Sequence, residues 1–411
     1  MPPESPASRT EQLARYAAAL LGFSIPISVA FDNVLLVLVA VLWLAGGEIK
    51  RKLADIAANP VALAALALFG MLIAGTLYGS RFPGDGMRYL GKYADLLFIP
   101  IFITLFGNAR VRELALRWFC AAMVLTFVVA ELRLLGLLVD NPVLPRGLGF
   151  TGGAFKLSIT HGLLAAFAAF LFALLAHRER HWPQRALFAA LALVAVKNAI
   201  LVSISRTAYL VLALLALYYF FILCGKRGLV LACLVLAALF AGAYGGSEAF
   251  RERIGTVVAE TGEWHSQWPS RESVTVRQDW YQYSRDIVLD HPLLGAGTGS
   301  FPRAYAEMAR DAKTPLTPNP HNEYLLIAVQ TGLVGLALLI HLFWQQLRLS
   351  ARLAIPIETH LVRGLVITMA VGCLFNSLLL DHTEGLFYAW FTGLLYGGLR
   401  SPPSSDQDRA Q

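Results

Sequence analysis

The stretch TPNPHNEYLLIAVQTGLVGLALLIHLFW, residues 317–344, decides the fold of this chain. After Tyr324 it is a continuous apolar run, and about 20 such residues cross a bilayer as a helix. Similar runs recur along the 411 residues, of which 57% are hydrophobic and only 15% are charged. A soluble protein of this size carries about 25% charged residues, and a membrane β-barrel has alternating rather than continuous apolar segments. The sequence therefore predicts an all-α polytopic membrane protein.

About twelve transmembrane helices are expected if each span takes about 20 residues. They lie near 14–30, 32–46, 60–78, 89–106, 114–139, 156–177, 186–204, 207–224, 228–246, 321–346, 360–380 and 385–399. The predicted organisation is nine spans in 1–246, one large loop region in 247–320, three spans in 321–399 and a tail in 400–411. Within the loop, residues 276–289 are predicted to form a helix, because Trp280, Tyr283 and Ile287 share one face.

The distribution of Lys and Arg predicts the orientation in the membrane. In the short loops these residues are more frequent on one side, and that side faces the cytoplasm under the positive-inside rule. Both termini are then cytoplasmic, and the large loop is on the outer face. The loop is rich in arginine against this bias, which suggests an anionic ligand. The net charge of +7 is spread between apolar segments, so no nucleic-acid partner is expected.

The polar cluster before the run raises the question of why a membrane helix begins with His321, Asn322 and Glu323. One interpretation is a capping cluster, in which Asn319 caps the helix and His321 lies in its first turn. The other interpretation is a functional site. Unpaired backbone N–H groups at a helix start attract anions, and the same dipole keeps an imidazole neutral and able to act as a general base.

Two further basic residues begin predicted spans from the outer face. Arg206, in VSISRTAYL, either extends to lipid headgroups or is held in a cavity where its guanidinium binds diphosphate oxygens. Lys156, in TGGAFKLSITHG, is either a phosphate contact or an interfacial anchor. Asp381 and His382, in the last outer turn, are candidates for orienting a sugar hydroxyl or a catalytic partner.

Other polar features favour structural roles. Glu131, Arg133 and Lys197 lie within predicted spans, where an ion pair is expected because isolated charges are costly there. GAGTGS, residues 295–300, lacks the strand and lysine of a nucleotide-binding loop, so a hinge or a close-packing turn is predicted. The four cysteines show no disulfide or zinc pattern, and no cofactor or metal site is indicated; ETGEWH, residues 260–265, is interpreted as a solvated turn.

The outer-facing features combine into one chemical hypothesis. An enzyme outside the nucleotide-containing compartment has to receive an already activated donor, and a polyprenyl diphosphate sugar meets that requirement. Arginines and a helix start would hold the diphosphate, while a base removes the proton of the acceptor hydroxyl.

Three blocks carry a family resemblance: SRTAYL at 205–210, RQDWYQYSRDIVLDHPLLGAGTGSF at 277–301 and PHNEYLLIAVQTGLVGLALL at 320–339. They resemble the O-antigen ligase and polymerase superfamily, and the single outer loop resembles the ligase. The resemblance implies a GT-C-like, metal-independent, inverting glycosyltransferase in the inner membrane of a Gram-negative cell. It would transfer O-antigen from undecaprenyl diphosphate to a sugar of lipid A–core on the periplasmic face, with membrane lipids around it.

The resemblance also implies roles for individual residues. His321 would be catalytic, either as the base or as a hydrogen-bond donor to the diphosphate. Arg206 and Arg277 would contact the diphosphate. Lys156 and Arg285 are further diphosphate contacts by position, while Asn322, Glu323 and Asp381 would support the site.

Three alternatives remain at this point. An O-antigen polymerase has the same architecture but a lipid-linked glycan as its acceptor. A protein O-oligosaccharyltransferase of the superfamily usually has a longer outer region. A transporter would have inverted repeats and helices broken within the membrane, and the sequence indicates neither.

Overall fold

A computed structural model describes residues 8–79, 84–138, 154–203, 205–252, 254–255, 274–310 and 315–399. In this part of the chain all regular secondary structure is helical, apart from one isolated β-bridge between Leu353 and Leu399. The predicted all-α membrane fold is confirmed. Trp264, Trp268 and ETGEWH of the large loop, and the tail at 400–411, lie outside the described residues.

The helices are numbered in chain order. They are α1 (Arg9–Ser24), α2 (Val29–Ala45), α3 (Ile49–Ala57), α4 (Pro60–Tyr78), α5 (Gly84–Lys92), α6 (Asp95–Leu105), α7 (Ala109–Leu134), α8 (Ser158–Arg178), α9 (Trp182–Lys197), α10 (Arg206–Cys224), α11 (Lys226–Gly246), α12 (Val274–Asp290), α13 (Phe301–Met308), α14 (Glu323–Leu349), α15 (Pro356–Gly372) and α16 (His382–Tyr396). A π-helical turn, Asn198–Val202, follows α9.

Seven helical segments of the described chain are long and apolar enough to cross a membrane. An eighth arises if α2 and α3, which meet at an angle of 112°, are taken as one broken span. Each predicted span overlaps at least one helix, although 89–106 is divided between α5 and α6. The count of twelve crossings therefore stays a prediction.

Local sequence explains where these helices begin. Asn59 caps α4 by accepting the backbone N–H of Val61 and Ala62, and Pro60 has the fixed φ suited to the first helical position. Ser28 caps α2 in the same way through the Phe31 N–H. Between caps, the Leu-, Ala- and Val-rich runs contain few interruptions, so most runs continue as one helix.

The centre of the bundle is aromatic. α8 and α16 are its most enclosed helices, and Phe119 of α7 joins them. Phe119 and Phe167 both pack edge-on against Phe391, with ring centroids 4.9 and 4.8 Å apart, and Trp390 packs on the same ring at 4.9 Å. Such edge-to-face pairs add about 1 kcal/mol each to the burial of apolar area. This core fixes the position at which α16 begins.

Six helices begin at one end of the bundle, which is called the site end here: α2, α6, α8, α10, α14 and α16. Side-chain contacts connect their starts. Thr207 of α10 contacts Asn376, Glu323 of α14 is bonded to Leu379, and Lys156 before α8 contacts Thr383 of α16. The chain thus gathers polar helix starts from distant parts of the sequence at this end.

α14 is broken at Gly332, whose φ of 66° and ψ of −164° are open only to glycine. The turn at 292–299 fills the break: Leu333 N–H bonds the Pro292 carbonyl at 2.8 Å, and Ala296 N–H bonds the Val329 carbonyl at 2.8 Å. The freed backbone groups are thereby satisfied within the protein, as a membrane environment requires. The expectation that no membrane helix is broken is therefore wrong. In an amino-acid sequence, a glycine that breaks a helix looks the same as a glycine that permits close packing between helices.

The glycine turn GAGTGS is the close-packing element that the sequence predicts. Gly295, Gly297 and Gly299 all have positive φ, between 71° and 97°. A Cβ at Gly295 would lie 2.5 Å from the Thr331 nitrogen, and one at Gly299 would lie 2.6 Å from the Asp85 carbonyl oxygen. Glycine is required because backbone approaches backbone on both sides of the turn.

Candidate functional site

The start of α14 differs from the predicted capping scheme. α14 begins at Glu323, and its N-cap is Asn322, whose side chain accepts the Leu325 N–H at 3.0 Å. Asn319 instead accepts the His321 N–H at 2.9 Å and closes a turn before the helix. The predicted cap at Asn319 is wrong because His321 has a φ of 52°, which reverses the chain and prevents 319–321 from joining the helix.

The helix start is also less open to anions than the sequence suggests. The Glu323 N–H bonds the Cys373 carbonyl at 2.8 Å, and the Leu325 N–H is taken by Asn322. These groups are among the four that an α-helix leaves unpaired at its start. An anion at this place would therefore be bound mainly by side chains.

His321 is half-buried directly before this helix. Its ring packs on Trp280 of α12, with centroids 5.2 Å apart and planes 30° apart. The hydroxyl of Tyr281 lies 3.4 Å from the His321 carbonyl oxygen and 3.2 Å from that of Leu374. A non-glycine residue with positive φ, held by contacts on several sides, is typical of functional sites.

The electrostatic surroundings of His321 keep its imidazole neutral. Burial, reinforced by the positive charge of Arg277, lowers the pKa of His321 from the usual 6.5 to about 4. Burial also raises the pKa of the Tyr281 hydroxyl, which Arg277 opposes. At neutral pH the imidazole is therefore able to accept a proton or a hydrogen bond, while Arg277 supplies positive charge nearby.

The segment 373–381, between α15 and α16, connects His321 to α10. Asn376 donates to the Thr207 hydroxyl at 3.2 Å, and Ser377 lies 3.3 Å from the Asn319 amide oxygen. Arg206, the first residue of α10, is therefore brought to the region around the turn that holds His321. Only the end of this segment, at Asp381, was predicted to be functional; the polar pair Asn376–Ser377 within an apolar stretch is the feature that marks the rest.

Arg206 lies where the π-helical turn after α9 leads into α10, beside an apolar groove. Ser205 caps α10 through the Ala208 N–H, directly after the π-helical turn. Arg206 is half-buried and lines a groove of about 530 Å³ between α10 and α11. A second groove of about 340 Å³, on the α9 side of α11, shares Ile200 and Leu239 with the first. Both grooves are lined mainly by apolar side chains.

Glu323 fastens the helix start to its surroundings. Its side chain is fully buried; one oxygen accepts the Tyr93 hydroxyl at 2.7 Å and the other accepts the Leu379 N–H at 2.8 Å. Asn322 donates to the Leu374 carbonyl at 3.0 Å. Both residues thus fix the turn that carries His321, and Tyr93 is a buried partner that sequence analysis did not identify.

Lys156 is enclosed in a polar network at the site end. Its ammonium lies 3.1 Å from the Thr383 hydroxyl and 3.8 Å from the Asp32 carboxylate. In the same network, His382 lies 3.6 Å from the Asp95 carboxylate. Lys156 is only 8% exposed, so the interfacial-anchor alternative is wrong: the acidic helix starts of α2 and α16 draw the ammonium inward.

The remaining predicted residues lie around this region with greater exposure. Arg277 is on α12, one turn before Trp280. Arg285 lies further along α12, is 65% exposed and pairs with Asp286 at 2.8 Å. Asp381 is exposed at the N-cap position of α16. No three His, Cys, Asp or Glu residues of the described chain are grouped as ligands for a metal ion.

The expected intramembrane ion pair is confirmed away from these residues. The Lys197 ammonium contacts the Glu131 carboxylate at 2.5 Å between α9 and α7. Arg133 donates to the Ala154 carbonyl at 2.6 Å. These contacts hold the C-terminal ends of α7 and α9 against their neighbours.

Residues 197–340 match the family model described as O-antigen ligase. This segment is called the family region here because it is similar to the O-antigen ligase family. This region spans Arg206, Arg277 and His321, and the resemblance to the O-antigen ligase and polymerase superfamily is confirmed. The family supports a membrane glycosyltransferase of the O-antigen ligase or polymerase type that acts on lipid-linked polysaccharide. A search of curated proteins found no match.

Proposed function

We propose that this chain is an O-antigen ligase that transfers O-antigen from undecaprenyl diphosphate to a sugar hydroxyl of lipid A–core. The observation that carries the proposal is the neutral, half-buried His321 in a strained turn, next to the charge of Arg277 and within the family region. A membrane enzyme with an arginine-lined region and a proton acceptor has the groups that a diphosphate-linked donor requires.

In the proposed reaction, the acceptor hydroxyl oxygen bonds to the anomeric carbon of the donor. Its proton passes to the neutral imidazole of His321. The bond between the anomeric carbon and the diphosphate oxygen breaks, and the electron pair leaves with undecaprenyl diphosphate. Attack opposite to the leaving group inverts the anomeric configuration. In an alternative role, His321 donates a hydrogen bond to the diphosphate instead of accepting the proton.

Arg206 and Arg277 are the proposed diphosphate contacts, because guanidinium forks match phosphate oxygens. They would neutralise the charge that develops on the leaving group, so that no metal is needed. The groove between α10 and α11, with Arg206 on its lining, suits the polyprenyl tail of the same donor. A single lipid thereby connects the apolar groove to the catalytic residues.

The other predicted residues take supporting roles in the proposal. Asn322 and Glu323 hold the His321 turn, and Lys156 contributes positive charge through the buried network rather than by exposure. Asp381 is suited to orient an acceptor hydroxyl because it is exposed next to that network. Arg285 is the weakest diphosphate contact because its guanidinium is paired with Asp286.

The proposed location follows from the Lys and Arg bias of the loops. Both termini lie in the cytoplasm, and the site end faces the periplasm of a Gram-negative inner membrane. The region 247–320 is the proposed periplasmic loop, between transmembrane regions 1–246 and 321–399. Residues 400–411 are the proposed cytoplasmic tail.

The test uses purified full-length protein in nanodiscs with lipid-diphosphate-linked O-antigen, lipid A–core, EDTA and no nucleotide. Wild-type protein should form O-antigen-bearing lipopolysaccharide on a gel, and the variants His321→Ala, Arg206→Ala and Arg277→Ala should not. Arg303→Ala is the matched control, since Arg303 is an exposed arginine of the same loop region paired with Glu307.

Three outcomes would contradict the proposal. If wild-type protein lengthens the lipid-linked glycan but leaves lipid A–core unmodified, the chain is a polymerase. If folded His321→Ala retains full transfer, His321 is not the catalytic group. Dependence on an added divalent ion after EDTA treatment would reject the metal-independent mechanism.

A further inference from the structure

A polar cavity of about 110 Å³ lies at the end of the bundle opposite to the site end. α1, α3 and the connection from α6 to α7 surround it. Its charged lining residues are Arg15, Arg51, Lys52, Glu11 and Asp55. The cavity is separate from the residues of the proposed glycosyl transfer, and its volume suits a phosphate group.

The side chains that line the cavity include one more basic than acidic group. Glu11 is 5% exposed and accepts from Arg15 at 2.8 Å and from Arg51 at 3.2 Å. Lys52 is 3% exposed and has the Trp43 carbonyl, 2.5 Å from its ammonium, as a neutral partner. Three basic and two acidic groups therefore face the space, and a monoanion would balance them. A phosphodiester is such a monoanion.

One residue of the cavity lining, Arg15, has a donor that lacks an acceptor. The Nε–H of Arg15 is buried and makes no hydrogen bond within the described part of the chain. A buried donor without an acceptor is costly, since it has lost its hydrogen bond to water. A guanidinium presents its donors in a planar fork that matches phosphate oxygens. An oxygen anion in the cavity would lie beside this guanidinium.

The geometry and surface of α3 suggest a membrane lipid as the source of this anion. It turns away from α2 by 112°, and it is too short, at 9 residues, to cross a membrane. Ile49 and Leu53 are exposed on one face, whereas Lys52 and Ile56 are buried. Exposed apolar side chains beside basic residues on a short helix are typical of helices that lie in the membrane interface. The cavity beside α3 is then at the level of the lipid headgroups.

We propose that this cavity binds the phosphate group of an anionic phospholipid through Arg15, Arg51 and Lys52. The bound lipid fastens α3 to α1 at this end of the bundle. The proposal does not depend on the catalytic activity, because it rests on a cavity remote from the glycosyl-transfer residues.

The test measures lipid binding to the purified full-length protein by native mass spectrometry. Phosphatidylglycerol, phosphatidylcholine and inorganic phosphate are titrated separately. Phosphatidylglycerol should bind more tightly than phosphatidylcholine, and Arg51→Gln should weaken its binding about tenfold, as expected for the loss of a charged hydrogen bond. The Arg51 side chain is 44% exposed, so this change removes charge without opening the core.

The matched control is Arg117→Gln. Arg117 is 73% exposed on α7 and pairs with Glu113 at 2.7 Å. The substitution therefore removes one positive charge, as Arg51→Gln does, but from a solvated ion pair. It should leave phosphatidylglycerol binding unchanged. Equal binding of the two phospholipids, or equal effects of the two substitutions, would overturn the proposal. Arg51-dependent binding of inorganic phosphate without a preference for phosphatidylglycerol would overturn the assignment to a lipid.

Discussion

His321 illustrates how one residue combines backbone strain with chemistry. Its positive φ is shared, among non-glycine residues of the described chain, only with Glu48. The turn is maintained by the Asn319 side chain and by packing on Trp280. The imidazole packs on Trp280 of α12, which places the ring in the candidate site.

Replacing His321 by Asn separates these two properties. Asparagine adopts positive φ more readily than most residues, so the turn should persist while the imidazole is lost. We expect transfer to fall by about 100-fold or more, the usual contribution of a general base. The measurement is the initial rate of lipid A–core modification in nanodiscs.

The control for this variant is His291→Asn, because His291 is exposed in the same region of the chain. It should transfer at the wild-type rate. A folded His321→Asn protein with wild-type activity would show that only the backbone conformation at this position matters.

The lowered pKa of His321 predicts the acid side of the pH profile. The folded-state pKa is about 4, below the usual 6.5, so the unfolded chain takes up the proton first as the pH falls. The titration of His321 should therefore have no effect on the free energy of unfolding above pH 6.5. Between pH 6.5 and 4 it should lower that free energy as the pH falls. For the same reason, kcat/KM should not decline through His321 protonation until the pH falls below about 5.

Removing the neighbouring charge should shift this titration. In Arg277→Gln the pKa of His321 should rise, because one cause of its depression is removed. Nitrogen-15 NMR of labelled histidine measures the shift without requiring activity. An unchanged titration in Arg277→Gln would show that burial alone sets the pKa.

At the scale of elements, the break in α14 depends on one glycine. Gly332 has a backbone conformation that only glycine adopts readily, and a Cβ there would collide with the Leu293 carbonyl. Gly332→Ala should lower the free energy of unfolding by about 2 kcal/mol or more. The substitution should also reduce the rate of glycosyl transfer. The turn at 292–299 packs against the break in α14, and the same helix begins beside His321.

Thermal unfolding in detergent measures this effect, with Gly70→Ala as the control. Gly70 lies inside α4, and a Cβ there would meet nothing within 4 Å. Alanine favours a helix interior over glycine by about 1 kcal/mol, so the control should be equal to or more stable than wild type. Equal stabilities of the two variants would contradict the strained geometry at Gly332.

At the scale of the whole molecule, α11 is almost entirely outside the core and packs mainly on α10. The grooves on its two sides suit the lipid tail of the donor. Leu239 lines both grooves, so Leu239→Trp should obstruct them. We expect the KM for a long-chain polyprenyl donor to rise several-fold, with a smaller change for a short-chain donor analogue.

Leu234→Trp is the matched control on the same helix. Leu234 is 64% exposed and lines neither groove, so the substitution should leave KM unchanged. Equal effects on long-chain and short-chain donors would show that the grooves do not hold the tail.

The amino-acid pattern was sufficient for the fold class, the approximate helices and the family region, because bilayer crossing and local motifs depend on neighbouring residues. It also pointed to His321, since titratable residues at the start of an apolar run are unusual. Tertiary structure alone decided the cap at Asn322, the positive φ of His321, the break at Gly332 and the burial of Lys156. These features depend on contacts with segments distant in sequence, such as 292–299 and 373–381. The residue pattern of a single helix carries no information about such partners.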